Sequence, residues 1–562
     1  GAGHMSAAAA GPPAEPGRRG LLERSLDAVE RVGNAVPHPA VMFLALCGIV
    51  IVLSQVLHWA GVSATYEIVK PPAAAAEVDY VGGSVAPVQV LPPEPADASE
   101  YRVTTETADV EGLLTVDGVR FLFTSFVSNF MGFTAMGIIL IVMIGVGLAE
   151  AAGLIAALIR RLVAVSSVGA LTYIIAGLGV VSSIASDAGY LVLIPLGAVA
   201  FKSVGRHPLA GIAVAFAGVA GGFGVNFLLT PTDAILTEIT NEAIRLVDPG
   251  GSIDLTANLY FGIGSTVLVT VLIALVTTRL VEPRLGAWDP AHASPPDAAI
   301  QDPDDTPEVP AEAEARGLRW AGIGLLAYVA GIAALTAPPG APLRDPDTGD
   351  VIGTSPFMDS LILIIALAFL VAGACYGRGA GTIRTMNAAI EAITKSWSTL
   401  AGLLLLFLLI AQFIAYFNYS NMAQVAAVKL GDTIERAEIA DVWLLLVIIG
   451  ITLAIGIIIP QAIAKWALLA PIFIPLGLRL GIEPEVTLAA YRVADSPMNI
   501  FTPIMAYFPL IVVFAARYDR RSGIGTVIAL MLPYTVLLIA VWTAFFLAWW
   551  ALGIPWGPGA PG

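Results

Sequence analysis

Pro460-Gln-Ala-Ile-Ala-Lys465-Trp466, then Ile474-Pro475-Leu476-Gly477, then Asp495-Ser496-Pro497-Met498-Asn499-Ile-Phe-Thr502-Pro503 is the stretch whose reading decides the fold. An earlier stretch echoes it: Ile184-Ala185-Ser186-Asp187-Ala-Gly189-Tyr190, Ile194-Pro195-Leu196-Gly197, and Asn226-Phe-Leu-Leu-Thr230-Pro231-Thr232-Asp233. Both sit among apolar residues, yet carry Pro, Gly and charge where a plain membrane helix would have none. Paired, interrupted hydrophobic segments in the two halves of a chain point to the binding site of a transporter. Short matches are cheap in a chain rich in Ile, Leu, Ala and Gly. The charged residues inside the echo therefore carry more weight than the echo itself.

Composition sets the solvent. Of 562 residues, 57% are hydrophobic and only 13% charged, with a mean hydropathy of +0.83. Soluble domains carry about 25% charged residues, so this much apolar surface calls for lipid. The net charge of −15 argues against a nucleic-acid partner. Cys47 and Cys375 lie in separate apolar segments and read as small core residues. No CxxC, HExxH or Walker-type motif occurs.

The chain divides as follows. Residues 1–5 read as an expression-tag scar. Residues 6–38 form a cytoplasmic segment holding Arg18, Arg19, Arg24 and Arg31, with a surface amphipathic helix from Leu21 to Val36. A first membrane repeat covers 39–281 and includes an acidic extracytoplasmic loop, 62–118. A Pro- and acid-rich cytoplasmic linker, 282–316, precedes a second repeat, 317–552, and a tail, 553–562. The expected fold is all-α: about nine transmembrane helices and two re-entrant hairpins in inverted repeats. The hairpins are placed at Ser182–Phe201 and Pro460–Leu480, each after a full span (Ser167–Val181 and Trp443–Ile459).

Charge at membrane depth costs about 2.5–3.5 kcal/mol on insertion scales, so it marks function by default. Asp187, Lys465, Arg492 and Asp495 are the residues in that position. Asp187 and Asp495 fall at matching places of the two halves, among small polar residues able to ligate an ion. Arg492 lies one helical turn before Asp495, so the two can face one cavity or pair with each other. Lys465 and Trp466 open a hairpin, where substrate contact and snorkelling with interface anchoring are equal readings. Asn226 and Asn499 precede Thr-Pro steps, where they either help ligate a cation beside Ser496 or cap half-helices.

At these residues the chain resembles the p-aminobenzoyl-glutamate transporter (AbgT-type) family. The resemblance rests on Ser186-Asp187-Ala-Gly-Tyr190, Arg206-His207-Pro-Leu-Ala-Gly211, Thr230-Pro-Thr-Asp233, Ala464-Lys-Trp466, Ala490-Tyr-Arg492 through Asp495-Ser496, Thr502-Pro503 to Pro509, and Arg517-Tyr-Asp with Gly523-Ile-Gly-Thr526. It implies a homodimer in a bacterial inner membrane, amino terminus in the cytoplasm. It also implies secondary transport of p-aminobenzoyl-glutamate or p-aminobenzoic-acid-like and sulfonamide compounds, driven by sodium or protons, with antiport and drug efflux among the modes. The family's transport residues map onto Asp187, Trp466, Pro484 and Arg492, and the aspartate of its sodium site onto Asp495. The sequence departs from the pattern at Gly456, where the family has Asn, at Pro460-Gln461-Ala462-Ile463, and at Ala494 and Met498. Those departures remove oxygen ligands that sodium would use and shift weight to protons. A carboxylate transporter of the same architecture is the alternative. An intramembrane enzyme with an aspartate pair belongs to a different class, and the chain lacks the Gly-x-Gly-Asp and Pro-Ala-Leu signatures such enzymes carry. No cofactor is expected.

Overall fold

The computed structural model describes residues 39–70, 102–164, 167, 169–185, 189–293, 309–351, 355–436, 440–457 and 459–560. The tag, the amino-terminal segment, residues 71–101 of the acidic loop, residues 294–308 of the linker and Asp187 lie outside these. Among the described residues, eight helices are long and apolar enough to cross a membrane. They are α1 (Pro39–Trp59), α4 (Thr134–Ala152), α10 (Leu259–Val276, running on to Leu285), α11 (Ala311–Thr336), α12 (Leu361–Ala380), α14 (Ala401–Tyr419), α17 (Ala462–Arg479) and α20 (Ile524–Ala551). The acidic loop is not wholly irregular. Ser63–Lys70 (β1) and Arg102–Asp109 (β2) pair antiparallel, with Ser63 opposite Asp109. Behind it, α2 (Val116–Thr124) and α3 (Phe126–Met131) leave Phe123 and Val127 exposed. Helix α13 (Met386–Thr399) buries none of its residues.

The hairpins are real but larger than expected, and both are displaced in the same direction. Helix α5 (Leu154–Ala164) leads into α6 (Leu171–Val181), which has only eleven residues. About 20 residues are needed to cross a bilayer. Ala176 meets Gly218 and Val180 meets Gly222, so α6 runs parallel to α8 (Pro208–Gly221). Gly189 meets Val219 and Gly197 meets Gly211, so α7 (Ile194–Ser203) runs antiparallel to α8. Helices α6 and α7 therefore run against each other as the two arms of one hairpin, and its tip is the segment after Val181. The second half repeats this. Gly456, at the end of α16 (Asp441–Gly456), meets Met498, and Thr502 Oγ1 donates to Ile457 O at 3.1 Å. Helix α17 runs antiparallel to α18 (Pro484–Asn499), with Tyr491 OH donating to Ala462 O at 2.6 Å. The hairpin is α16 plus α17, so Ser167–Val181 and Trp443–Ile459 are hairpin arms and not full spans. The first arms, α6 and α16, are as apolar as spans; their lengths of eleven and sixteen residues give them away.

After each hairpin comes a helix, a break and a second helix: α8, 222–230 and α9 (Pro231–Ile244); then α18, 500–507 and α19 (Phe508–Tyr518). Helix α9 and α15 (Met422–Arg436), with 14 and 15 residues, are too short to span a bilayer. Both flank α17: α9 buries Ala234 to Asn241, and α15 buries Met422, Val425 and Val428. The break before α9 ends in a capping box, in which Thr230 Oγ1 accepts from Asp233 N and Asp233 Oδ2 accepts from Thr230 N. Helices α8 and α18 bury every one of their residues. Helix α8 lies against the first hairpin at backbone contact: a Cβ on Gly179 would lie 2.7 Å from Gly218 Cα, and one on Gly197 2.7 Å from Gly211 O.

Candidate functional site

The two halves meet at the first break. Gly224 N donates to Ser496 Oγ at 2.8 Å, and Arg492 Nη1 donates to Gly224 O at 3.0 Å. Both partners lie on α18, four residues apart, so one face of that helix grips the unwound segment. The break stays unwound because Asn226 turns inward. Its Nδ2 donates to Val181 O and Ser183 Oγ, both at 3.0 Å, and its Oδ1 accepts from Leu228 N. Asn226 thus ties the break to the first hairpin's tip and has no amide hydrogen aimed elsewhere. Thr502 does the same for the second hairpin through Ile457 O. Tyr190, just past the first tip, stacks on Tyr507 in the second break, with centroids 4.3 Å apart.

The charges do not pair as their spacing suggests. Arg492 and Asp495 are three residues apart on one helix, but each takes a partner from another element. Arg492 Nη1 lies 2.5 Å from Oδ1 of Asp233, on α9. Asp495 Oδ1 lies 2.7 Å from Lys465 Nζ, on α17, at an angle too poor for a hydrogen bond, and accepts from Tyr491 OH at 3.1 Å. Lys465 is fully buried, so it does not snorkel. Trp466 is fully buried too; its Nε1 donates to Thr240 Oγ1 at 3.0 Å and its ring lies 4.5 Å from that of Tyr491. It is not an interface anchor. Asp495 sits inside α18 and not at a hairpin tip; Asp187, its counterpart in the echo, lies outside the described residues. Pro484 opens α18 as its first residue, where its missing N–H costs nothing. Asn499 ends the same helix, with Oδ1 lacking a hydrogen-bond partner.

A small polar cavity opens beside the Arg492–Asp233 pair. Gly224, Asn226, Asp233, Asn258, Phe261 and Arg492 are among its lining residues, and its free volume is about 20 Å³, room for a water molecule. Asn258 donates from Nδ2 to Glu485 O at 3.0 Å, and its Oδ1 has no partner. Arg492 Nε also has none. The arrangement offers a guanidinium with one unpartnered donor, beside amides and an aromatic ring, on a small cavity.

The donors around Asp495 suit sodium poorly. Hard cations want several oxygen ligands. Here the carboxylate is already met by an ammonium, Gly456 supplies no side chain, and a Cβ at Gly456 would lie 3.1 Å from Lys465 Nζ and 3.2 Å from Met498 Cβ. Met498 fills the room an Asn at 456 would need. Among the described residues, no group of three or more His, Cys, Asp or Glu side chains could hold a metal ion.

Asp233, Thr240 and Tyr491 are missing from the residues singled out in the sequence. The signal for Asp233 was present: Thr230-Pro-Thr-Asp233 is a capping box opening a helix.

Comparison with known proteins places this geometry. A profile described as the AbgT putative transporter family matches residues 24–562. The p-aminobenzoyl-glutamate transport protein of Escherichia coli K12 is 32% identical over 531 residues, covering 94% of this chain and 95% of that one. The crystal structure of the Alcanivorax borkumensis YdaH transporter, described as having an unusual topology, is 41% identical with a TM-score of 0.80, covering 93% of this chain and 100% of that one. Neisseria gonorrhoeae MtrF, described as illuminating a class of antimetabolite efflux pumps, is 36% identical with a TM-score of 0.79, covering 96% and 100%. Broken helices, hairpins and buried charge together define a polytopic membrane transporter, not an enzyme. The chain belongs to the AbgT transporter family.

Proposed function

We propose that the protein is a proton-coupled secondary transporter of small aromatic carboxylates and related sulfonamides, the p-aminobenzoyl-glutamate and p-aminobenzoic-acid class. The observation that carries this is Arg492: a buried guanidinium with an unpartnered Nε on a cavity lined by Asn226, Asn258 and Phe261. A planar guanidinium matches a carboxylate or sulfonyl group. The relatives' printed names support the substrate class. Proton rather than sodium coupling is supported by the Lys465–Asp495 contact and by the absence of a side chain at Gly456. A homodimer in the bacterial inner membrane with a cytoplasmic amino terminus belongs to the same reading, supported by the family and by the arginines before α1.

The test is transport in proteoliposomes holding the purified protein. Labelled p-aminobenzoate, p-aminobenzoyl-glutamate and a sulfonamide are offered under a pH gradient, then under a sodium gradient. Accumulation driven by pH alone is expected. Strict dependence on sodium would replace the coupling ion, and no movement of any of the three would remove the substrate class.

A further inference from the structure

We propose that Asp233 is the proton-binding partner of the transported carboxylate: it surrenders its charge when the ligand takes Arg492, so that one proton enters the site with each carboxylated ligand. This rests on the substrate class proposed above and adds a residue to it.

The geometry divides the labour between the two oxygens of Asp233. Oδ2 accepts from Thr230 N and Thr230 Oγ1, both at 2.7 Å, and so caps α9. Oδ1 faces Arg492 Nη1 at 2.5 Å. A proton can therefore arrive on Oδ1 without releasing the cap, and α9 keeps its start in both states. The Asp233 side chain is 16% exposed against 6% for Arg492, so the carboxylate is the wetter member of the pair. Both line the same cavity, and Arg492 Nε has no partner on it.

Charge decides the outcome. The resting pair is neutral. A ligand carboxylate that takes Arg492 adds an anion beside Asp233, and leaving that charge uncompensated is costly where both side chains are largely buried. The neutral alternative balances as ligand–COO⁻ plus Asp233–COO⁻ with Arg492⁺ plus H⁺, giving Asp233–COOH with ligand–COO⁻ on Arg492⁺. One O–H bond forms, no covalent bond breaks, and the proton comes from solvent.

No other charge takes over this role. The elements packed around α9 are α4, α17 and α18. Helix α4 carries Glu150 near its far end; α17 carries Lys465, which is turned to Asp495, and Arg479, which pairs with Asp432. Helix α18 carries Glu485, two turns before Arg492, as well as Arg492 and Asp495. On α9 itself, Glu238 and Glu242 are held by Arg245. Among the described residues, Arg492 is the charged group paired with Asp233.

The experiment is calorimetric titration of the full-length protein in detergent or nanodiscs, with p-aminobenzoate as probe, in two buffers of different ionisation enthalpy. Uptake of about one proton per ligand is expected, with affinity falling about tenfold per pH unit where the linkage operates. Sulfanilamide, which has no carboxylate, should bind with no proton uptake. Asp233→Asn, which keeps an oxygen for the Thr230 cap, should bind p-aminobenzoate with pH-independent affinity and no proton uptake. Wild-type binding of p-aminobenzoate without proton uptake overturns this proposal and leaves the substrate class standing, as does proton uptake that persists in Asp233→Asn. Should Asp233→Asn not fold, the two-buffer measurement on the wild type decides alone, with equal proton uptake for p-aminobenzoate and sulfanilamide counting against the proposal. Absence of wild-type binding to either probe removes this proposal together with the substrate class.

Discussion

Lys465 Nζ stands 2.7 Å from Asp495 Oδ1, where neither side chain exceeds 2% exposure. The contact joins the inner arm of the second hairpin to the helix that carries Arg492. Removing one member of a buried pair strands the other charge and costs about 3–5 kcal/mol, whereas removing both together costs far less. Lys465→Met and Asp495→Asn should each lower the thermal unfolding temperature sharply, and the double variant should recover most of the loss. Additive losses in the double variant would show that the two charges are not coupled.

Gly456 and Met498 exchange volume. A side chain at 456 would meet Met498 Cβ and Lys465 Nζ within 3.2 Å, and overpacking of this kind costs about 1–3 kcal/mol. Gly456→Asn should therefore destabilise alone, and Met498→Thr, which removes the thioether arm but keeps Cβ, should rescue only part of the loss. Thermal unfolding of the three variants reads the rescue directly. Sodium should raise the melting temperature of the double variant more than that of the wild type.

At Gly197 of α7 the first hairpin has no room for a side chain against α8. Gly197→Val would thrust methyl groups into Gly211 O, and a well-packed core resists by about 1–3 kcal/mol or more. The expected result is a large fall in folded yield on size exclusion. Gly137→Ala, in α4 where nothing lies within 4 Å of an added Cβ, should leave the yield unchanged or slightly raised.

His207 gives the turn before α8 a pH sign. Its Nδ1 accepts from Leu209 N at 3.2 Å and caps the helix, a role only the neutral ring can fill. Burial lowers its pKa from the ordinary 6.5, partly offset by Asp519 and Glu282, which raise it. A lowered folded pKa means stability that is complete above 6.5 and lost as pH falls through that value towards the folded one. The unfolding temperature should therefore drop below about pH 6.5. His207→Asn, which caps without titrating, should flatten that drop; an unchanged drop would assign it to other groups.

The sequence disclosed the solvent, the broken repeats and the residues that gather at the centre, because lipid leaves so few ways to place Asp495, Arg492 or Asn226. It did not disclose which charge meets which. Three-residue spacing on a helix permits Arg492 and Asp495 to pair, but Lys465 and Asp233, distant in sequence, outcompete that contact through tertiary packing. Hairpin arms were read as spans because α6 and α16 are apolar on all sides and periodicity cannot tell a lipid neighbour from a protein one. Helix α9 went unseen because its polar residues Asp233, Glu238 and Asn241 resemble a loop until their partners are known. Lys465 could be read as an interfacial anchor as readily as a substrate contact for a related reason: nothing near it in the chain predicts the carboxylate it meets.

Complete burial of α8 and α18 has a consequence for how this transporter answers its surroundings. Neither helix presents a residue to the acyl chains, so a change in bilayer thickness or headgroup composition has no direct handle on the pairs they hold. Such a change acts first on peripheral helices such as α11, where Ile323, Leu326 and Val329 are exposed. It reaches the centre only as a displacement of whole helices. The chemistry of the site is insulated from the lipid, and its mechanics are not.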